Sequence, residues 1–436
     1  MKLRNKILSL VVGLVAFAGI ESAAAQDSSL NTYSPYTFYG LGDIHNEGIA
    51  VTRAMGGASL GFRNYLYVNT LNPASYSSVR NNSFLSNFDM EGSNFYARTA
   101  DAKTSYNTFN VRDIAMSFPL AKGLGVGLSV TPYSSVGYDV NFYDKAPDVL
   151  GGIGQMFYTY SGSGDVTQFK VGLGYELFKD FSVGADVIYY HGKIARTYSA
   201  QPTTITGSGS YYALMGATNE YVNSFFGTLG AQWTPIAEID RVLTIGATYK
   251  FGGRMDNEIA NTLPLNSVLL PGENVIDEEY TSTLAMPAVY AVGFYYHMPR
   301  CSFGADYEWA DWGRRNAADM SDNLRFRNTS TVRLGGQFTP NVGDIRNAFK
   351  RFTYRAGVRW SQNYIVLNDQ PIQDVALTFG VGLPLRMTGL SNVNLGLELG
   401  QRGTTKAGLS RESYLKFTIG FSLFGEDYWF VKMKYD

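Results

Sequence analysis

Leu415-Lys416-Phe417-Thr418-Ile419-Gly420-Phe421-Ser422-Leu423 decides the fold. Every odd position is large and apolar, and every even one is polar or small. Successive side chains of a strand point to opposite faces, so this stretch has one greasy and one wet face. The same alternation runs through Leu124 to Thr131, Phe181 to Tyr189, Leu243 to Phe251 and Val375 to Leu383. It persists for roughly nine to twelve residues, the length of a tilted strand crossing a bilayer, whereas strands of soluble sandwiches are usually shorter. Centres of such runs fall near residues 90, 112, 128, 168, 188, 228, 246, 290, 306, 333, 358, 379, 397 and 417. The expectation is an all-β transmembrane antiparallel barrel of about fourteen strands, closed so that no backbone group is left unpaired in lipid.

The composition agrees. The chain has 436 residues, 17% charged and 14% aromatic, with 47 Gly, 31 Tyr and 27 Phe. Charge is well below the quarter usual in soluble domains. A net charge of −1 leaves no basic footprint for nucleic acid. Lys2, Arg4 and Lys6, the apolar run Leu8 to Ile20 and Ala23-Ala24-Ala25 read as a cleavable signal peptide over residues 1–25, with Gln26 as the first mature residue. The lone cysteine, Cys301, is far from that cleavage point, which excludes lipidation there. After residue 26 no run of about 18 apolar residues remains, so no membrane helix is expected. The localisation implied is the outer membrane, with membrane lipid as a partner.

Aromatics near the ends of the runs, at Tyr189-Tyr190, Trp309, Trp312 and Trp360, are expected to form interfacial girdles. Pro119 to Gly123, Phe178 to Phe181 and Met298 to Ser302 read as tight turns. Residues 140–155, 200–220 and 254–282 read as long outer linkers. The barrel is expected over 81–424, with 425–436 as a periplasmic tail whose Trp429, Phe430, Val431, Lys432, Met433 and Lys434 could bind other envelope proteins.

Residues 26–80 do not read as strands. Glycines are scattered through short apolar pieces, and such a segment must pack inside something or remain a disordered tail. Its apolar and aromatic content favours a hatch in the lumen. Within it stand Arg53-Ala54-Met55-Gly56-Gly57-Ala58 and, fifteen residues after that stretch begins to close, Asn72-Pro73-Ala74. In this order, between a leader and a set of long strands, the pair resembles the hatch of the FadL-type family of outer-membrane transport proteins. Residues 166–184, with Gly172, Gly174, Tyr175, Phe178, Lys179 and Asp180, resemble that family's strand-turn-strand pattern. The resemblance implies a fourteen-stranded barrel plugged by a hatch, and passive uptake of hydrophobic small molecules such as long-chain fatty acids. It makes Arg53, Met55, Gly56, Gly57, Asn72 and Pro73 the candidate ligand or gating residues. Two features depart from the family pattern: Arg63-Asn64-Tyr65-Leu66-Tyr67 replaces an acidic stretch, and the chain continues beyond its last strand.

The wet face of the strands carries Asp306, Glu308, Arg333, Arg355, Arg359, Glu398, Arg402 and Lys416. These read either as a network holding the hatch, with Arg53 as a partner, or as a polar gate or ligand-head site. Buried charges need partners or water in both cases. No enzyme, cofactor or metal centre is expected. His45, His191 and His297 lack a second ligand at metal spacing, and no Ser-centred pattern accompanies His297. The rival to transport is a non-transporting barrel subunit of an outer-membrane protein insertion or export machine, for which the tail and long outer segments speak.

Overall fold

The computed structural model describes residues 31–100, 102–144, 154–205, 213–266, 273–313, 324–385 and 390–426. The leader, the cleavage site and tail residues 427–436 lie outside the described residues.

Alternation of burial follows alternation of sequence. In β2 (Ser83–Arg98) every second side chain is buried from Ser83 to Ala97. The wall continues through β3 (Lys103–Ala121), β4 (Leu124–Tyr143), β5 (Gly154–Phe178), β6 (Phe181–Ile205) and β7 (Ala213–Ala237). Three staves are each broken into two segments: β8 (Val242–Lys250) with β9 (Gly253–Asn266), β10 (Glu273–Met286) with β11 (Val289–His297), and β13 (Leu324–Phe326) with β14 (Thr329–Phe338). The remaining staves are β12 (Cys301–Ala310), β15 (Thr353–Leu367), β16 (Gln370–Pro384), β17 (Asn392–Gly403) and β18 (Arg411–Glu426). Counting each broken stave once, fourteen antiparallel strands close on themselves. β18 pairs with β2 from Arg411↔Arg98 to Glu426↔Ser83, which leaves the sheet no edge there. All fourteen expected strand centres fall on these staves.

The outer face is apolar. Val171, Leu173, Val187, Phe225, Leu229, Leu377, Phe379, Leu415 and Phe417 stand exposed on it, as lipid contact requires. Tight reversals join Ala121 to Leu124 and Phe178 to Phe181, where Gly123 and Asp180 adopt positive φ. The expected outer linkers are corrected. Residues 140–143, 154–155, 200–205, 213–220, 254–266 and 273–282 are strand, because β5, β6 and β7 each run 25 residues and β9 pairs with β10 over Gly253 to Leu265. At about 3.3 Å per residue, 25 residues reach roughly 80 Å, far beyond a hydrocarbon core of about 30 Å. Above the membrane both faces meet water, so alternation disappears while β-pairing persists.

Two girdle assignments are corrected as well. Tyr190 and Trp312 point inward and are buried. Trp312 stacks on Tyr364, ring centroids 4.4 Å apart, within an apolar layer that also holds Tyr36, Leu41, Tyr133, Ile365, Leu367 and Ile372.

Residues 31–82 line the inner wall, and they contain one short strand, β1 (Asp43–Ile44), paired with Ser135 and Ser134 of β4. Their seat is made of strand glycines. A Cβ on Gly125 or Gly127 would strike Tyr76, on Gly184 Pro73, on Gly246 Leu60, on Gly335 Met55 and on Gly357 Gly56. Glycine in a strand marks close approach of another backbone, and here it occurs stave after stave at the level of the hatch.

The Gly357→Val substitution is therefore expected to unseat the hatch. It forces a side chain into the Met55–Gly56 backbone and should cost about 1–3 kcal/mol or more. Gly396→Ala, whose nearest neighbour is Thr418 Cβ at 3.4 Å, should be near neutral. Thermal unfolding in detergent, read by heat-modifiable electrophoretic mobility, distinguishes the two.

Candidate functional site: a clamped hatch above a charged cavity

The hatch is held by acceptors and ions supplied from around the wall. The one-turn helix Ala50–Arg53 has no side-chain cap of its own. Asp89 of β2 serves instead, its carboxylate accepting from Ala50 N–H at 2.5 Å. Arg53 at the other end of that turn pairs with Asp89 at 3.4 Å and Glu91 at 2.9 Å. Met55 is buried, and Gly56 and Gly57 turn the chain with φ of 70° and 89°. Gly56 N–H donates to Thr378 Oγ1 at 2.8 Å. Ser59 and Leu60 N–H groups both donate to Asp306, at 2.6 and 3.0 Å. Asn72 donates to Leu60 O and to Ala231 O of β7, both at 3.1 Å, and its own Oδ1 caps the 3-10 turn Pro73–Ser78 through Ala74 N–H.

Toward the long end, Arg402 binds Asp43 of β1 and Glu412, the latter at 2.7 Å, with Ser34 Oγ 3.1 Å away. Glu47 pairs with Lys170 and, at 3.7 Å, with Lys250. Burial alone would raise the Glu47 carboxyl, but the two ammonium groups override it and hold it down at about 2, against an ordinary 4.5. Burial and nearby Arg112 push His45 well below its ordinary value, so it sits neutral against Ser135 Oγ at 2.7 Å.

The other lumen charges pair on the wall. Arg333 meets Glu308 at 3.0 Å, and Arg359 meets Glu398 at 2.8 Å and Asp374 at 3.1 Å. Arg355 binds Asn394 at 3.0 Å and Gln337 at 3.3 Å. Lys416 lies 3.9 Å from Glu91. Arg53 therefore meets Asp89 and Glu91, two partners absent from the sequence reading, and none of the wall charges named there. The signal was present: Asp89, Glu91 and Ser93 share the inward parity of β2. Glu47, Lys170, Lys250, Asp374 and Glu412 were also missed. Glu47 lies in the hatch and the other four contribute one charge each from separate staves, so only the seating of the hatch and the register of the sheet bring them together.

Between hatch and apolar layer lies a cavity of about 230 Å³. Its lining includes Asp43, Glu47, Asp186, Glu308 and Asp374 among acids, and Lys170, Lys250, Arg333, Arg402 and Lys416 among bases. Among the described residues the wall parts between β3 and β4. β3 and β4 pair only from Ile114↔Val130 to Ala121↔Leu124. Above that level residues 31–45 enter between them: Ser34 N–H donates to Gly137 O at 2.8 Å, His45 N–H to Tyr133 O at 2.9 Å, and Tyr33 packs on Tyr106 at 4.9 Å.

His297 Nδ1 lies 2.7 Å from Ser302 Oγ, a cross-strand pair near the turn end that the sequence reading did not foresee. No carboxylate orients that imidazole among the hydrogen bonds of the described residues. Among those residues no group of three ligating side chains could hold a metal ion.

The BamG family model matches residues 5–436, hatch and barrel together. The chain belongs to the BamG family. No curated protein matches it. Among solved structures, this BamG-family barrel is similar to a FadL homologue of Pseudomonas aeruginosa, with TM-score 0.59 and 13% identity over 88% of this chain and 99% of that one. It is also similar to the Pseudomonas putida toluene transporter TodX, with TM-score 0.56 and 18% identity over 88% and 99%. The CymD monoaromatic hydrocarbon channel gives TM-score 0.56 and 14% identity over 87% and 98%. The fold is thus FadL-type, as the hatch motifs implied.

Acid should loosen the hatch of this BamG-family chain. The depressed Glu47 pKa contributes stability that is complete above about 4.5 and is lost as pH falls toward about 2. Protease cleavage within residues 31–82 is expected to rise over that window, and Glu47→Gln should remove this component. Arg53→Ala, which leaves Asp89 without an ion partner while Glu91 keeps Arg112 at 3.7 Å and Lys416 at 3.9 Å, should destabilise by about 3–5 kcal/mol at neutral pH. Thermal melts in detergent check the magnitude.

Proposed function

We propose that this BamG-family protein is an outer-membrane barrel that acts as a non-transporting subunit of a protein insertion or export machine. The observation that carries this reading is the clamped hatch. Opening a path would break Arg53 from Asp89 and Glu91, Asp306 from two backbone N–H groups, and Glu47 from two lysines. Leaving one buried charge unpaired costs about 3–5 kcal/mol, and several such breaks would make spontaneous opening rare. The space beyond the hatch mixes apolar side chains such as Phe95, Phe226, Met286 and Trp312 with charges of both signs, so an apolar ligand there would have to lie against ionised groups. The family match also spans hatch and barrel, and that family carries a Bam designation, whereas the hydrocarbon channels share the fold at 13–18% identity.

One feature favours the second reading, passive uptake of hydrophobic small molecules such as long-chain fatty acids. The separation of β3 from β4 is a break in the wall of a fold also used by a toluene transporter and a monoaromatic hydrocarbon channel. Withdrawal of residues 31–45 would let an apolar molecule pass sideways into lipid. Under this reading Arg53, Met55, Gly56, Gly57, Asn72 and Pro73 would act as gate rather than anchor.

Extraction in mild detergent separates the readings. A machine subunit should purify with stoichiometric envelope partners, and proteoliposomes carrying it should take up labelled fatty acid no faster than empty ones. A lone barrel that accelerates uptake would overturn the first reading in favour of the second.

A further inference from the structure

The turn between β14 and β15 is unlike the tight reversals at the same end of the barrel. Residues 339–352 form a structured knob. Its base is tied by Thr339 N–H to Arg300 O at 2.8 Å and by Thr339 Oγ1 to Thr353 Oγ1 at 2.9 Å. Asn341 N–H bonds Lys350 O at 2.7 Å, and Asn347 caps the short helix Ala348–Arg351 through Phe349 N–H at 3.0 Å. Tyr354 OH donates to Phe349 O at 3.0 Å. On this ordered frame Val342, Ile345 and Phe349 are 78%, 86% and 69% exposed.

Lipid does not explain them. The tip lies beyond Phe338 and Tyr354, the last outward aromatics of its two strands. Asp344 sits between Val342 and Ile345, and the N–H of Asn347 holds its carboxyl below the ordinary range, so it carries charge. A hydrocarbon setting for Val342 and Ile345 would drag that charge with them. Cations border the apolar residues. Lys350 pairs with Asp344 at 3.5 Å, while Arg346 and Arg351 form no ion pair among the described residues. Exposed apolar side chains on a preorganised frame, rimmed by unpaired arginines, have the make-up of an interface: greasy centre, charged rim, little ordering cost.

We propose that the 339–352 knob docks a periplasmic protein partner presenting an apolar socket edged with acidic residues. This rests on the machine-subunit reading and names where the partner sits. Val342, Ile345 and Phe349 fill the socket, and Arg346 and Arg351 meet the acidic rim.

The test uses the full chain in native membranes. A photo-crosslinking amino acid replacing Ile345 should give one adduct with a protein that co-purifies stoichiometrically. The V342S/I345S/F349S variant should keep its heat-modifiable barrel yet lose that partner roughly tenfold or more. Arg346→Glu with Arg351→Glu should weaken capture and reduce its salt sensitivity. Adducts only with phospholipid, or only with a second copy of this chain, overturn the inference. So does full retention of the partner by the triple variant, which leaves the machine reading intact. Absence of any partner on the unaltered chain defeats both.

Discussion

Everything in this molecule follows from the cost of an unpaired peptide group in hydrocarbon. A strand can enter lipid only if neighbours satisfy it on both sides, and the last strand must then find the first. β18 does so along the full length of β2. Closure fixes parity: each stave shows lipid one face and the lumen the other. The inner face is then free of any hydrophobic requirement. The chain spends that freedom on two residue types, glycine and charge. Glycine lets the hatch backbone lie against the wall, and charge fixes it there.

The fixing has a particular energetic character. Buried ion pairs contribute little net stability compared with apolar packing, because desolvation offsets attraction, yet breaking one is costly. A hatch clamped by Arg53, Glu47, Asp306 and Arg402 is therefore held less by depth of the well than by its walls. Apolar packing is indifferent to small shifts, whereas the observed seat satisfies Asp89 and Glu91 on β2 together with Asp306 on β12. Such a device suits a part that must stay in register while forces act on the barrel.

How much of this could be read from the chain depends on range. Parity is local, so Leu415 to Leu423 disclosed a strand and its inward face without any knowledge of neighbours. For the same reason Asp306, Arg333, Arg359 and Arg402 could be placed in the lumen. Pairing is not local. Whether Arg53 meets Asp89 or Asp306 depends on register around the closed sheet, which no single strand records. Chemistry also misleads at boundaries. The Thr- and Asn-rich residues near 254–282 looked like loop because alternation stops, but it stops where lipid stops, not where the strand stops. Trp312 looked interfacial for the opposite reason: indole suits a membrane belt and a core alike, and only the inward turn of the chain after β12 settles which.

The break between β3 and β4 shows the founding constraint met by an unusual route. Above Ile114 and Val130 the two staves part, and β4 loses its neighbour on that side. The carbonyls of Tyr133 and Gly137 have no β3 partner there. Residues 31–45 supply the missing donors through His45 and Ser34, and β1 extends the sheet by two residues. The hatch is thus more than an insert resting in a finished barrel: over this stretch it completes the wall. Removing it would empty the lumen and at the same time uncover the β4 backbone at Tyr133 and Gly137, so plug and wall are stabilised by one another. The Asn31–Tyr36 segment is tied in the same way on its other side, to Asn110 of β3 and to the Ser410 carbonyl in the turn before β18.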